Sequence, residues 1–201
     1  MTTGTVGQIE LSRLSPGARV PAEPPKLVAL NAKWAVWRIV VPGMADRFMR
    51  AESCALDGNS FAVMVDGDGF YHAWLASNGH VGCPLRVDMP ADRKFASAVD
   101  GFARGISSPV PLADVEAMRT ARGISISFNN GVTRTLWLLA NHAMAFPVRA
   151  CGVEVARLIG EAAGIDVEPI HYETLFRDAK VKQREDWKQG EWESLGAVTI
   201  P

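Results

Sequence analysis

The chain has 201 residues, 48% of them hydrophobic, and its 21 Lys and Arg against 22 Asp and Glu leave a net charge of -1. A chain of this length builds one well-filled core, or one domain with a small appendage. The balanced charge excludes a general attraction to nucleic acid or to an acidic partner, so any such preference must come from local placement of charge.

The first part of the chain predicts an arm followed by a sheet. Residues 1–26 are rich in proline and glycine, which disfavours both helix and sheet and predicts a mobile N-terminal arm. β-Branched and aromatic residues dominate 34–42, 60–66 and 69–76, which predicts three strands. The Asp-Gly-Asp-Gly run at 66–69 predicts a hairpin turn between the last two strands.

The middle of the chain predicts a helix, an extended piece and another strand. Apolar residues recur at spacings of four and three over 91–105, which predicts a helix that ends at Gly105. Val110 and Leu112 then suggest a short extended piece that leads into a turn or helix. Apolar residues alternate with serines over 124–128, which is typical of a half-buried strand.

The last part predicts further αβ elements and a charged tail. Helical spacing resumes after Gly131, the segment 145–151 predicts a strand, and 152–164 predicts an amphipathic helix. The highly charged stretch 173–193 predicts a solvated helix docked by its tryptophans, or else a tail that binds a partner. We therefore predict one α/β domain over residues 27–170. A mobile N-terminal arm over 1–26 precedes the domain, and a charged C-terminal tail over 171–201 follows it.

The turn between the 124–128 strand and the next helix predicts a phosphate site. Unpaired backbone N–H groups at a helix start attract anions, and glycine lets a ligand approach the main chain. An arginine in that first turn is unfavourable by itself, but favourable when it donates two hydrogen bonds to a bound anion. From Ala117 to Val153 the chain has four arginines and no Asp or Glu. The predicted phosphate- or nucleotide-binding residues are Asn129, Asn130, Gly131, Thr133, Arg134 and Thr135.

A structural interpretation of the same residues stays open. Asn-Gly before a helix is also a common turn and cap, and arginines often extend from a buried helix to water. An Asp distant in sequence could supply the missing partner of Arg134.

The segments around this turn resemble a known fold. "PVPLADV" (109–115), "NGVTR" (130–134) and "FPV" (146–148) resemble the ParB/sulfiredoxin-like fold, whose phosphate-binding loop is a G-x-x-R box between strand and helix. The phrase "ISFNNGVTRTLWLLANHAMAFPV" (126–148) is similar to plasmid fertility inhibition factors of the Osa and FiwA group. The resemblance covers about residues 60–160 and implies an α/β (α+β) single domain with a mixed sheet and flanking helices.

Three departures limit what the resemblance carries over. Sulfiredoxins have their reactive cysteine directly after the box glycine, where this chain has Val132, so their thiol chemistry is lost. ParB proteins that hydrolyse nucleotides have Glu and Arg at Val132 and Thr133, which argues against hydrolysis of the ParB type. The residues after Ala150 are too few and too charged for a helix-turn-helix domain.

The resemblance implies a plasmid-encoded protein that suppresses the DNA transfer of a coresident plasmid. This transfer is conjugative and uses a type IV secretion system. One hypothesis follows the ATPase and DNase activities attributed to Osa-like members: ATP and Mg²⁺ would be cofactors, DNA the substrate, and Arg134 a catalytic residue that stabilises charge on the phosphoryl group. The alternative is a non-catalytic adaptor that blocks the coupling protein or the relaxosome through its tryptophan-bearing tail or through exposed aromatic residues. If neither the box nor the tail carries the inhibition, the strand with Trp34 and Trp37 is the remaining candidate surface.

No specific metal site is indicated. The acids upstream of the box could hold magnesium beside a phosphate, with no choice among them: Asp57, Asp66, Asp68, Asp88, Asp92 and Asp100. His80 and Cys83 lack a partner pair at zinc-ligand spacing.

Neither compartment nor redox signals point outside the cytoplasm. The sequence has no run of about 18 apolar residues and no secretory signal pattern, so we expect a cytoplasmic protein without an integral membrane segment. Its three cysteines form no C-x-x-C pair, which favours reduced thiols.

Overall fold

A computed structural model describes residues 22–53, 57–189 and 198–199. Within these residues the chain forms ten strands and five α-helices. The strands are β1 (Lys26–Leu30), β2 (Trp34–Ile39), β3 (Arg47–Glu52), β4 (Ser60–Asp66), β5 (Val110–Pro111), β6 (Ala113–Thr120), β7 (Gly123–Asn130), β8 (Ala145–Cys151), β9 (Ile170–His171) and β10 (Val198–Thr199). The helices are α1 (Gly67–Gly82), α2 (Phe95–Ala103), α3 (Val132–Ala140), α4 (Val153–Ala163) and α5 (Tyr172–Gln189).

The strands form two five-stranded mixed sheets, where the sequence predicts one. The first sheet has the order β10-β1-β2-β3-β5 and the second has the order β7-β6-β8-β4-β9. Each contains one parallel pair, β3 with β5 in the first and β6 with β8 in the second. The predicted α/β class with mixed sheet and flanking helices is therefore confirmed, with the strands divided between two sheets.

The chain passes from one sheet to the other between β5 and β6. We call Pro109–Leu112 the crossing segment. Arg50 on β3 is in register with Pro111 on β5, and one residue after this segment Ala113 pairs with Val148 of the second sheet. Trp137 of α3 packs nearby in the core and stacks on Phe102 of α2, with ring centroids 4.2 Å apart. The crossing segment and α3 thus meet where the two sheets join.

The predicted strand over 69–76 and its hairpin are wrong, because this segment lies in helix α1. The Asp66 carboxylate accepts a hydrogen bond from Gly69 N at 2.6 Å, so the Asp-Gly run caps a helix. Phe70, Tyr71 and Trp74 are buried on this helix at helical spacing. Aromatic residues favour strands only weakly, and burial of this helical face outweighs that preference.

The turn or helix expected after Leu112 is also wrong. This segment is strand β6, and its residues Ala113, Val115 and Ala117 alternate inward to the core. The predicted strands over 60–66 and 145–151 are confirmed, as are the three predicted helices now seen as α2, α3 and α4.

The C-terminal charged stretch begins as helix α5, which docks through its first two turns. Tyr172 and Phe176 are buried there, while Glu173 and Arg177 are exposed. The docking role predicted for the tryptophans of 173–193, and most of the arm over 1–26, lie outside what the structure describes. The division into arm, domain and tail stays a prediction. Over the described ranges, no helix is long and apolar enough to span a membrane.

Candidate functional site

The turn into α3 depends on glycine at position 131. Gly131 has a φ of 93°, in the left-handed region that disfavours side chains. A Cβ placed there would lie 2.7 Å from both Cα and Cβ of Ala113. The glycine thus lets β7 turn directly into α3 while packing against the start of β6.

Arg134 is held by backbone carbonyls rather than by a carboxylate. Its Nη1 donates hydrogen bonds to the carbonyl oxygens of Pro111 at 2.8 Å and Leu112 at 2.7 Å. Burial lowers the pKa of the Arg134 guanidinium; the charge of Asp114 opposes that shift and the charge of Arg50 adds to it. The first turn of α3 therefore tolerates an arginine because the crossing segment accepts two of its five N–H donors.

The six predicted phosphate-binding residues do not converge on one point. Thr133 and Arg134 line a cavity, whereas Thr135 is buried and its hydroxyl donates to Gly131 O at 3.1 Å. The Asn129 amide instead donates to Glu116 at 2.7 Å, and Asn130 is exposed at the end of β7. The structure thus brings together two of the predicted side chains.

The stretch without acids is partly neutralised by acids from elsewhere in the chain. Arg119 pairs with Glu161 at 2.6 Å, and Arg149 pairs with Asp114 at 3.3 Å. For these two arginines, the carboxylates that the local sequence lacks are thus supplied by residues outside the stretch. Helix α4 and the start of β6 supply partners that the local sequence does not reveal.

The cavity beside Arg134 is lined by four cationic side chains. Its volume is about 390 Å³, and we call it the basic cavity. Arg50 comes from β3 and Arg134 from α3, while Lys94 and Arg104 are the residues directly before and after α2. Small residues of α2, Ser97, Ala98 and Gly101, lie between the two ends of the helix. The described residues that line the cavity include no carboxylate.

Arg50 is held in place from two sides. Its Nη1 donates to Pro109 O at 2.6 Å, and its guanidinium lies over the Trp34 ring at 5.1 Å from the centroid. Its Nε is buried and has no hydrogen-bond partner among the described residues. Such contacts orient a guanidinium before any ligand arrives.

Sequence reasoning missed Arg50, Lys94 and Arg104. They lie 84, 40 and 30 residues before Arg134 in the chain, and no motif joins them. Only the parallel pairing of β3 with β5 and the packing of α2 on α3 bring them to one cavity. The one local signal was the presence of Lys94 and Arg104 at opposite ends of a predicted helix.

Three of the six acids proposed as magnesium ligands have structural partners. Asp66 caps α1, Asp68 pairs with Arg86, and Asp92 accepts from Lys94 N at 2.9 Å. Within the described ranges, no group of three or more His, Cys, Asp and Glu side chains is placed to hold a metal ion. The magnesium and ATP requirement stays a prediction.

The two cysteines with described side chains differ in environment. Cys83 is fully buried, and burial raises the pKa of its thiol to about 12 against an opposing effect of the Arg86 charge. Cys151 is exposed at the end of β8, where it accepts a hydrogen bond from the Asn59 amide at 3.3 Å. A buried thiol held neutral in this way is unreactive.

Fold and cavity together define a mixed α/β protein with a cationic cavity at the junction of its two sheets. Residues 62–164 match the model of the plasmid fertility inhibition factor family. The chain is 40% identical over 163 residues to the protein Osa of Shigella flexneri, covering 78% of this chain and 85% of that protein.

A solved structure agrees with these sequence matches. The crystal structure of an oncogenic suppression activity protein, a plasmid fertility inhibition factor determined as a gold(I) cyanide derivative, superposes with a TM-score of 0.71. It shares 36% identity and covers 88% of this chain and 90% of that chain. The chain belongs to the plasmid fertility inhibition factor family, and the resemblance seen in the sequence is confirmed.

Proposed function

We propose that this protein suppresses conjugative DNA transfer of a coresident plasmid by binding phosphate groups of DNA or nucleotide in the basic cavity. Its membership in the fertility inhibition factor family supports the biological role. One observation carries the molecular part: four cationic side chains from three separate elements line one cavity without a lining carboxylate among the described residues. Cations gathered in this way favour phosphate ligands.

Binding is the step that these side chains support best. Lys94 and Arg104 are exposed at the two ends of α2, within reach of a ligand that lies along the helix. Hydrolysis of DNA or ATP would also need a group that activates water, and a metal is one way to supply it. The catalytic role of Arg134, with ATP and Mg²⁺ as cofactors, remains a further hypothesis about this same cavity.

The adaptor hypothesis uses a different surface. The strand surface proposed for it includes Trp37, which is 1% exposed and therefore unavailable to a partner. Trp34 remains partly exposed, and both Lys33 and Arg50 lie over its ring. An adaptor that blocks the coupling protein or relaxosome would therefore use the tail or Trp34, and its inhibition would not depend on Lys94 and Arg104.

The test reverses two charges of the cavity that hold no part of the fold in place. The double variant Lys94→Glu with Arg104→Glu changes two exposed side chains. The matched control, Arg93→Glu with Arg177→Glu, makes the same change in net charge at exposed positions that do not line the cavity. Arg134 is a poor choice for this test, because it also holds two backbone carbonyls.

Two readouts separate the hypotheses. We expect the cavity variant to bind a labelled single-stranded oligonucleotide at least roughly tenfold more weakly than the control, because hydrogen bonds to charged groups contribute about 1.5–3 kcal/mol each. Donor cells that express it should regain transfer of the coresident plasmid. Full inhibition by a folded cavity variant would contradict the proposal and favour the adaptor.

A further inference from the structure

Two arginines, one from a strand of the first sheet and one from helix α3, hold the same short segment of backbone. Arg50 of the first sheet donates Nη1 to Pro109 O, and Arg134 of α3 donates Nη1 to the carbonyls of Pro111 and Leu112. The crossing segment thus fixes one edge of each guanidinium. Since a guanidinium carries five donors, each arginine keeps further N–H groups for a ligand.

The remaining donors of Arg50 are ready for an acceptor. Its Nε is buried without a hydrogen-bond partner among the described residues, which is costly for a polar group. The Trp34 ring and Pro109 O restrict the rotation of the side chain. Because Arg50 lines the cavity with its guanidinium already oriented, a ligand oxygen that accepts from its remaining N–H groups binds at little cost in side-chain entropy.

Like charge at the cavity also favours an anion. Arg50 and Arg134 line the same cavity, and the charge of Arg50 acts to lower the pKa of Arg134. The Asp114 carboxylate that opposes this effect is itself paired with Arg149. A phosphate between the two guanidiniums would attract both of them, and these two attractions would outweigh the repulsion between the guanidiniums.

We propose that one phosphate group binds between Arg50 and Arg134, with Arg50 as its principal ligand and Lys94 and Arg104 extending the site along α2. This inference rests on the proposed function and names the residues that fix the ligand. It moves the centre of the site from the G-x-x-R turn to the wall that β3 supplies. The turn then serves mainly to place Arg134.

The experiment measures the rise in melting temperature of the full chain with inorganic phosphate, at an ionic strength held constant with sodium chloride. Arg50→Gln removes the charge and the buried Nε. The matched control is Arg47→Gln on the same strand, because Arg47 also has a buried Nε without a partner and also lies over a tryptophan, Trp137, at 5.9 Å. Arg47 does not line the basic cavity.

We expect the apparent Kd for phosphate to rise by roughly tenfold or more in Arg50→Gln and to stay within about twofold of the unsubstituted protein in Arg47→Gln. A folded Arg50→Gln that binds phosphate as tightly as the control overturns the proposal. If Arg50→Gln fails to fold by circular dichroism, Arg50→Lys decides. Lysine keeps the charge but loses the planar array of donors, so weaker phosphate binding supports the proposal and unchanged binding overturns it.

The outcome also separates this inference from the proposed function. If the unsubstituted protein gains no stability from phosphate and binds no oligonucleotide, both proposals fail. If Lys94 and Arg104 prove necessary for oligonucleotide binding and Arg50 does not, only the arginine pair fails.

Discussion

Arginines gather in two regions of this molecule, and the regions handle the charge differently. On α4 and the end of β6, Arg119 pairs with Glu161 at 2.6 Å and Arg157 with Glu154 at 2.7 Å. We call these residues the paired region. In the basic cavity, Arg50 and Arg134 instead contact backbone carbonyls. Exposed ion pairs neutralise charge and contribute little to stability, whereas carbonyl contacts orient a cation and leave its charge uncompensated. The cations of the basic cavity are therefore available to a ligand, whereas those of the paired region are not.

The largest expected effect comes from the glycine at the cavity turn. Gly131→Ala would need a left-handed backbone and would push Cβ to 2.7 Å from Ala113. We expect a loss of about 2–5 kcal/mol in the free energy of unfolding, as strain and overpacking add. Chemical denaturation measures it.

The control glycine lies beside the paired region. Gly123, the first residue of β7, has a φ of +116°, but no atom of the described residues lies within 4 Å of a Cβ placed there. Gly123→Ala should therefore cost clearly less. Equal losses at the two positions would show that packing against Ala113 is unimportant.

The next effect compares one arginine from each region. Arg134→Ala leaves the carbonyls of Pro111 and Leu112 without their donor, and we expect a loss of about 2–3 kcal/mol in the free energy of unfolding. Arg119→Ala removes an exposed pair and should change stability little. If the two variants are equally stable, carbonyl anchoring does not distinguish the cavity from the paired region.

The sequence predicted the elements with strong periodicity and one part of the cavity. β4, β8 and α4 follow from their patterns, and Thr133 and Arg134 from the G-x-x-R turn. The aromatic run in α1 predicts a strand, because aromatic side chains suit either structure when buried and the sequence of the Asp66 cap is also typical of a hairpin turn. Arg50 could not be predicted, because its position depends on a parallel pairing between strands about sixty residues apart.

A smaller, pH-dependent effect concerns Cys83, elsewhere in the fold. It tests whether burial changes the pKa of this thiol more than the opposing charge of Arg86 does. The pKa of the Cys83 thiol is about 12 in the folded protein, above the unfolded value of about 8.5. Stability from the protonated thiol is therefore complete below about pH 8.5 and is lost as the pH rises towards 12. Between pH 7.5 and 9.5 the unsubstituted protein should lose about 1 kcal/mol more than Cys83→Ala. Urea denaturation at the two pH values measures this loss. If both proteins lose the same free energy of unfolding between these pH values, the expected effect is refuted.

The smallest effect concerns the salt dependence of binding. Lys94→Ala should lower the slope of log affinity for a single-stranded oligonucleotide against log salt by about 0.7, because one phosphate contact and its released counterion are lost. Arg157→Ala in the paired region should leave that slope unchanged, since its charge is already matched by Glu154. A slope that falls equally in both variants would mean that the two regions attract nucleic acid alike.

The central claim is that the positive charge of the basic cavity is not compensated by carboxylates. A crystal structure of the full chain grown with phosphate tests this claim most directly. We predict an ordered phosphate in the basic cavity, with one oxygen within hydrogen-bond distance of the Arg50 guanidinium and another near the guanidinium of Arg134. Phosphate bound only beside Arg119 and Arg157, or absent from the basic cavity at a concentration that raises the melting temperature, would contradict this account.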